Sequence, residues 1–251
     1  MVPAYGESPY LCECLDSLKS QSIPVDVLIV TSTPNKAIEL AALQYGLPVL
    51  VNPNGGTIAN DWNFALKQGQ SHLLVLAHQD DIYHSDFAKR TFDFFARHQN
   101  CAIAFTDSNE LINNQLMVNN SRELVKKFLR KIAFGFKQTI HRNFHFRLLL
   151  GLGCSISCPS VIFNRTVIPD FCFSDDFSVN LDWDAWSRLG KSGVKFGYIR
   201  GDLLTHRIHA GAETQLGIAD QRREREDSII FLRYWPPFIA KLLLKFYKLG
   251  Y

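Results

Sequence analysis

Two adjacent carboxylates, Asp80 and Asp81, stand just after an apolar run at residues 73–77. The run predicts a buried strand of a parallel sheet, because helices cover both faces of such strands and leave them apolar throughout. Open α/β sheets bind ligands at the carboxyl ends of their strands. A divalent cation that carries a phosphorylated ligand would neutralise two acids at such a place. The alternative is a structural pair that caps the helix predicted to begin near Ser85.

Two further groups of polar residues stand near the ends of predicted elements, where loops carry chemistry. Asp182 and Asp184 open a predicted helix at residues 181–189, and residues 206–209 read His-Arg-Ile-His. Singly, each group has a structural explanation: Asp182 as an N-cap, Asp184 as a first-turn acid, and His209 as a surface histidine. Together with the acidic pair they meet the needs of metal-assisted group transfer. These needs are cation ligands, a carboxylate base, and cationic or imidazole groups for a diphosphate.

The first 107 residues alternate predicted strands and helices joined by short loops, which indicates a parallel, doubly wound sheet. The first strand ends near Pro3, so either it is unusually short or the natural start lies upstream of Met1. Ser8 is the predicted N-cap of the first helix, with Pro9 at its first position. The other predicted strands lie at residues 25–30, 48–51, 102–105, 160–163 and 194–199, and the other helices at residues 36–45, 58–68, 87–98 and 221–231.

Residues 109–150 differ from the rest, because basic residues alternate there with aromatic ones. The structural interpretation is a solvated helical insertion. The alternative is a surface that contacts an anionic membrane. We do not expect nucleic-acid binding, because no recognition module accompanies the basic residues. The tail, residues 233–251, is also amphipathic and basic, and is either a packing helix or a membrane-surface anchor.

The composition is typical of a globular protein, with 47% hydrophobic and 20% charged residues among 251. The formal net charge of +3 is too small to indicate a nucleic-acid partner. The sequence contains neither a recognisable secretory signal nor an apolar stretch long enough to span a membrane. We therefore expect a cytoplasmic protein, with any membrane contact peripheral and at the inner face. The six cysteines lack disulfide or zinc spacing and are expected to be reduced.

Five motifs that cover nearly the whole chain resemble, in their order, those of the family 2 glycosyltransferases, which have the GT-A fold. They are residues 2–5 with Glu7 and a helix ending in Leu15, Ser17, Leu18 and Gln21; residues 56–60 with 63–66; residues 78–81; residues 181–189; and residues 206–209. The resemblance implies a GT-A-like, mostly parallel sheet flanked by helices. It divides the chain into a transferase domain at residues 1–232 and the tail at 233–251. Within the domain it places a nucleotide-binding half at 1–107, the insertion at 109–150 and an acceptor-side half at 151–232.

The resemblance also implies roles for individual residues. Asp81, with His209, would hold Mg²⁺ or Mn²⁺ against the diphosphate of a nucleotide-sugar donor, and Asp182 would be the base that takes the acceptor proton. Burial beside Trp183 would usefully raise the pKa of that base. The implied donor-binding residues are Pro3, Ala4, Tyr5, Ser32, Asn63, Asp80 and Arg207. The acceptor would be a saccharide or a lipid-linked hydroxyl, and the transfer an inverting displacement.

Two departures from the family pattern leave alternatives open. Ser32 and Thr31 stand where the family has an acid for the base or ribose, and Leu181 replaces the usual Glu before the catalytic Asp. Asp184 is therefore an alternative base. At the level of the whole protein, one alternative is a nucleotide-sugar-binding protein that has lost catalysis. Another is a metal-dependent hydrolase that uses His78, Asp80, Asp81 and His84.

Overall fold

The structure of the protein, a computed structural model, describes residues 1–117 and 121–250. Residues 118–120, inside the predicted insertion, and residue 251, at the end of the predicted tail, lie outside the described residues. The strands are β1 (Val2–Pro3), β2 (Ile29–Thr31), β3 (Val49–Val51), β4 (Leu73–Val75), β5 (Ile82–Tyr83), β6 (Cys101–Ile112), β7 (Gln115–Met117), β8 (Thr139–Ile140), β9 (Val161–Asn164) and β10 (Lys195–Ile208). The helices are α1 (Leu11–Lys19), α2 (Lys36–Tyr45), α3 (Ile58–Gln68), α4 (Phe87–Arg97), α5 (Ser121–Phe134), α6 (Asn143–Leu150), α7 (Leu181–Lys191), α8 (Glu213–Ala219), α9 (Arg222–Tyr234) and α10 (Pro237–Tyr247).

The strands form two sheets that meet at β1 and β4. The first sheet has the order β1-β2-β3 and is parallel. The second follows the order β4-β9-β6-β10-β5, with β7 added to β6 and β8 to β10. Met1 N donates to Val75 O (3.0 Å) and Ala77 N donates to Met1 O (2.8 Å), so the chain start bridges the two sheets. The acidic pair thus follows a strand in the middle of the combined layer.

The predicted α/β fold with helices around a central sheet is confirmed, and the sheet is more mixed than the sequence pattern indicates. β6 and β10 are parallel to each other, but β9 runs antiparallel to both β4 and β6. The prediction of a purely parallel environment for residues 73–77 is therefore wrong. Apolar residues on both faces show that a strand is buried, but they do not show the direction of its neighbours.

Local capping sets the ends of α2 and α3, and the predicted limits of these two helices hold. The Asn35 side chain caps α2 by accepting from Ile38 N, and Gly46 ends the helix at φ 60°. Thr57 caps α3 by accepting from Asn60 N. The predicted cap at Ser8 is wrong, because α1 begins at Leu11.

Two long strands account for the largest differences from prediction. β6 continues to Ile112, so the first residues of the predicted insertion belong to the sheet. β10 continues past a register shift at Asp202 to Ile208, so His206 and Arg207 lie in a strand and not in a loop. The pairing of β6 with β10 along this length supplies backbone hydrogen bonds that neither segment's sequence alone reveals.

Helix α5, in the basic segment at residues 109–150, packs against the sheet through the buried charge of Arg130. Arg130 is fully buried, pairs with Asp107 (3.1 Å) and Glu123 (3.2 Å), and donates to Ser155 O (3.0 Å). Buried charges are tolerated when they are paired and hydrogen-bonded in this way. The segment is therefore packed against the core on one side, as well as basic and exposed on the other.

Candidate functional site

The acidic pair lies in a tight turn just beyond β4. Asp81 N donates to His78 O (3.2 Å), which closes the turn over residues 78–81. The Asp81 side chain is fully buried, and its Oδ1 accepts from Arg207 N (2.9 Å) and pairs with His206 Nδ1 (3.0 Å). The end of β10 therefore holds one oxygen of Asp81, and within the described residues the other, Oδ2, has no hydrogen-bond partner.

The end of β10 also braces Asp80. His209 Nε2 lies 3.0 Å from Asp80 Oδ2, and Arg207 Nε donates to Asp80 O (3.1 Å). The Arg207 guanidinium is buried, pairs with Glu13 and stacks over the Tyr10 ring at 4.3 Å. These contacts suit a residue that fixes the acidic turn better than one that binds a diphosphate directly.

A cation site fits the side chains of this turn. One ligand atom from each of His78, Asp80 and Asp81 lies within 4.8 Å of the others. Among the residues that the structure describes, His78 Nε2 and Asp81 Oδ2 are both buried without a hydrogen-bond partner. Leaving buried polar atoms unpaired is costly, so a divalent cation there would satisfy both.

The surroundings of two histidines at the turn shift their pKa values in opposite directions. Burial alone would lower the pKa of His206, but the Asp81 carboxylate outweighs it and raises this pKa to about 9. Burial lowers the pKa of His78, although the nearby acids oppose it. The Asp81 carboxylate therefore favours the charged form of His206, whereas burial favours the neutral form of His78.

Asp182 lies in the first turn of α7, and α9 fixes the residues that lead into it. The Glu226 carboxylate accepts from the backbone N–H groups of residues 178–180 at 2.7 to 3.0 Å. Asp182 Oδ1 accepts from Trp183 N (2.7 Å), and the Cys154 thiol lies 3.8 Å from Oδ2. Burial raises the pKa of Asp182 to about 6, against the opposing effect of Arg223. This pKa lies close to neutral pH, which suits a general base.

Asp184 has a different environment from Asp182. It is buried, and each of its oxygens is ion-paired: Oδ2 with Arg188 Nε (2.8 Å) and Oδ1 with Arg233 Nη1 (2.7 Å). Both oxygens of Asp184 are therefore occupied by guanidinium partners. Its contacts join α7 to α9, which is a structural role.

Two residues link the acidic turn to Asp182. Burial, followed by the charges of Asp182 and Asp81, raises the pKa of the Cys158 thiol, so this thiol lies in the field of both carboxylates. The Lys126 ammonium acts on both Asp182 and His206, where it opposes the rise of their pKa values. Cys158 and Lys126 therefore lie within electrostatic reach of both Asp182 and the acidic turn.

The predicted donor-binding residues of the first half fall into two sets. The loop after β1, which contains Ala4 and Tyr5, is tied to the acidic turn, because the Gln79 amide bonds both N and O of Tyr5 (3.1 Å each). The Tyr5 ring is 68% exposed and free to pack against a ligand. Asn63 is different, since both ends of its amide bond the main chain of Phe173 (2.9 and 2.7 Å). These two bonds give the Asn63 side chain a structural role.

Asp61 of α3 is an acidic residue that lies beside the end of β2, and it was not predicted from the sequence. Ser32 Oγ donates to Asp61 Oδ2 (2.7 Å), and Asn52 Nδ2 donates to Asp61 Oδ1 (2.8 Å). A carboxylate from α3 thus reaches the position where the sequence shows only Ser32. The sequence does contain a signal for this residue. Asp61 follows the Thr57 cap by four residues and is the acidic residue in the first turn of α3.

Comparisons with known proteins agree with this fold. Residues 1–150 match the sequence model of glycosyl transferase family 2, and no curated protein sequence matches the chain. Among solved structures, residues 1–349 of TarS from S. aureus superpose with a TM-score of 0.66 at 15% identity, covering 97% of this chain and 68% of that one. A mannosyltransferase from Pyrobaculum calidifontis gives 0.61 at 15% identity, covering 96% and 66%. Glucosyl-3-phosphoglycerate synthase from Mycobacterium tuberculosis gives 0.58 at 15% identity, covering 93% and 78%. At such identities these structures show a shared fold.

Proposed function

The chain belongs to glycosyl transferase family 2, and from this premise we propose that it transfers a sugar from a nucleotide-sugar donor to an acceptor hydroxyl with inversion. The observation that carries the proposal is the contrast between two carboxylates whose charges both act on the Cys158 thiol. Asp81 is buried and anchored, with one oxygen open beside His78. Asp182 has a pKa raised to about 6, whereas both oxygens of Asp184 are paired with guanidinium groups.

The two carboxylates divide the reaction between them. The acceptor oxygen attacks the anomeric carbon as the bond to the donor diphosphate breaks, and Asp182 takes the proton of the acceptor hydroxyl. His78, Asp80 and Asp81 would hold Mg²⁺ or Mn²⁺, which when bound stabilises negative charge on the departing diphosphate. Arg207, His206 and His209 keep the acidic turn in place.

The structural neighbours support this choice of donor and cation. The mannosyltransferase is in complex with GDP-Man and Mn²⁺, and a TarS structure is in complex with UDP-GlcNAc. We assign to this chain only the chemical class that these ligands share, a nucleoside diphosphate sugar. The identity of the sugar depends on the shape of the pocket, because related sugars differ by as little as one hydroxyl group.

We expect one or more nucleotide sugars to raise the melting temperature of the protein in the presence of Mn²⁺, because a ligand of the folded state stabilises it by mass action. A thermal-shift screen identifies the donor, and release of its nucleotide in the presence of saccharide acceptors measures transfer. Donor binding without release would select the catalytically impaired alternative. Release to water at the same rate with and without acceptor would select the hydrolase.

We also propose that the protein binds its acceptor at an anionic membrane surface. The outer face of α5 exposes Leu124, Val125, Phe128 and Ile132, with exposed Arg122 and Lys131 beside them. Residues 121–150 contain a single acid, Glu123, which is buried, so the charge of this face is positive. α10 adds exposed Phe238, Leu242 and Phe246, and residues 228–251 contain no acid. In the described part of the chain, every helix is too short or too polar to cross a bilayer.

We expect the protein to sediment with vesicles that contain anionic lipid at low salt, and to be released at high salt, because surface charges are screened within about 10 Å at 0.1 M salt. Phe128→Ser on the outer face should weaken binding, whereas Phe92→Ser, at an equally exposed site on α4, should not. No sedimentation at low salt, or equal loss in both variants, would contradict the membrane proposal.

A further inference from the structure

We propose that His78 is a cation ligand through Nε2, and that this nitrogen makes the site prefer Mn²⁺ or a similar transition ion to Mg²⁺. This inference rests on the proposed function and extends that function by naming one ligand and the class of cation. The predicted ligands at the sequence level were Asp81 and His209, and the contacts of the described residues favour a different histidine.

The three histidines near the acidic turn differ in what their nitrogens contact. His206 Nδ1 lies against Asp81 Oδ1 (3.0 Å), and His209 Nε2 lies against Asp80 Oδ2 (3.0 Å). Each therefore uses a ring nitrogen to hold one carboxylate. His78 Nε2 is buried and, within the described residues, has no hydrogen-bond partner.

The turn geometry brings the His78 imidazole close to the Asp80 and Asp81 carboxylates. The bond from Asp81 N to His78 O folds the two residues together, and ligand atoms of His78, Asp80 and Asp81 lie within 4.8 Å of one another. The Trp62 ring packs on the His78 ring at 5.1 Å and is itself packed against Phe173 at 4.9 Å. The imidazole is thus held in its orientation by aromatic neighbours.

The donor set determines which cation it suits. Mg²⁺ prefers oxygen ligands and retains several waters, so an imidazole ligand adds little to its binding. Transition ions accept imidazole as well as carboxylate, and Mn²⁺ is the member that also suits carboxylate-rich sites. One buried nitrogen beside two carboxylates therefore favours Mn²⁺ over Mg²⁺.

Pulsed EPR of Mn²⁺ bound to the full chain, without nucleotide, measures coordination directly, because a ligated imidazole gives a ¹⁴N coupling. We expect this coupling in the wild type, in His209→Gln and in the surface control His72→Gln, and its loss in His78→Gln. Competition with Mg²⁺ should show that His78→Asp reduces the preference for Mn²⁺ by about tenfold, the scale of change known for metal-site substitutions. Circular dichroism checks that each variant is folded.

The outcomes separate this inference from the proposed function. A ¹⁴N coupling that persists in His78→Gln, or that disappears only in His209→Gln, would overturn the inference and leave transfer untouched. A wild type that binds no Mn²⁺ would overturn it together with the cation requirement. A coupling lost only in His78→Gln supports the inference even if no sugar is transferred.

Discussion

Replacing Asp182 with Asn is expected to lower the transfer rate about 10²- to 10⁴-fold, the usual contribution of a general base. The amide keeps the bond from Trp183 N but cannot accept a proton. In the wild type the rate should fall as the pH drops through about 6, where Asp182 becomes protonated. Initial rates of nucleotide release over a pH series measure both effects.

The stability of this variant provides a second measurement. The folded-state pKa of Asp182 lies above its ordinary value of 3.8, so the ionised carboxylate opposes folding at neutral pH. The free energy of unfolding of Asp182→Asn should therefore equal or exceed that of the wild type at pH 7. An inactive variant that is also unfolded would not support a catalytic role.

Asp184→Asn is the matched control, because it makes the same chemical change two residues away. It breaks ion pairs with Arg188 and Arg233 and is expected to destabilise the protein by about 1–3 kcal/mol. Below its melting temperature this variant should still transfer sugar. If instead Asp184→Asn were folded and inactive while Asp182→Asn kept its rate, the base would be Asp184.

Replacing Asp81 with Asn is the second substitution expected to have a large effect. The amide retains an oxygen for Arg207 N but loses the charge that a cation needs. Loss of about 4 kcal/mol of electrostatic stabilisation corresponds to about a 10³-fold lower rate. Transfer assays over a range of Mn²⁺ concentrations should show no recovery at high Mn²⁺.

Asp86→Asn controls for the change of charge. Asp86 is exposed, five residues beyond Asp81, and makes no side-chain cap for α4. Its substitution should leave the rate and the Mn²⁺ requirement unchanged. Chelation of the wild type followed by return of Mn²⁺ should abolish and restore activity, and a chelated enzyme that stays active would contradict the role of Asp81.

The parts of the fold that depend on local chemistry could be predicted from the sequence. α2 and α3 have the predicted limits, because Asn35 and Thr57 cap their starts and Gly46 ends the first of them. The acidic turn after the apolar run was predicted for the same reason, since a strand end and two acids are adjacent in the sequence. These features are fixed within a few residues and need no partner from afar.

The parts that depend on distant pairing could not be predicted. Asp184 pairs with Arg233, which is 49 residues away. The Glu226 carboxylate of α9 accepts hydrogen bonds from residues 178–180, which lead into α7. The Asn63 amide bonds a main chain 110 residues away. In each case the sequence shows a polar residue on a helix, and only the tertiary packing decides whether that residue is bonded or open.

The buried charges of the basic segment illustrate the same limit. The sequence shows eight basic residues between 109 and 150, which predicts a solvated face. Arg130 is nevertheless fully buried because Asp107 and Glu123 meet it there. Helical spacing assigns Arg130 to the inner face only when the position of the sheet is known.

In the proposed reaction Asp81 holds the donor through a cation, whereas Asp182 serves only the acceptor. Calorimetric titration of the identified nucleotide sugar with Mn²⁺ into the two Asn variants tests this division most directly. We expect Asp182→Asn to bind the donor with the wild-type dissociation constant yet to transfer sugar about 10²- to 10⁴-fold more slowly, and Asp81→Asn to lose donor binding. Unchanged donor binding by Asp81→Asn, or wild-type transfer by Asp182→Asn, would contradict it.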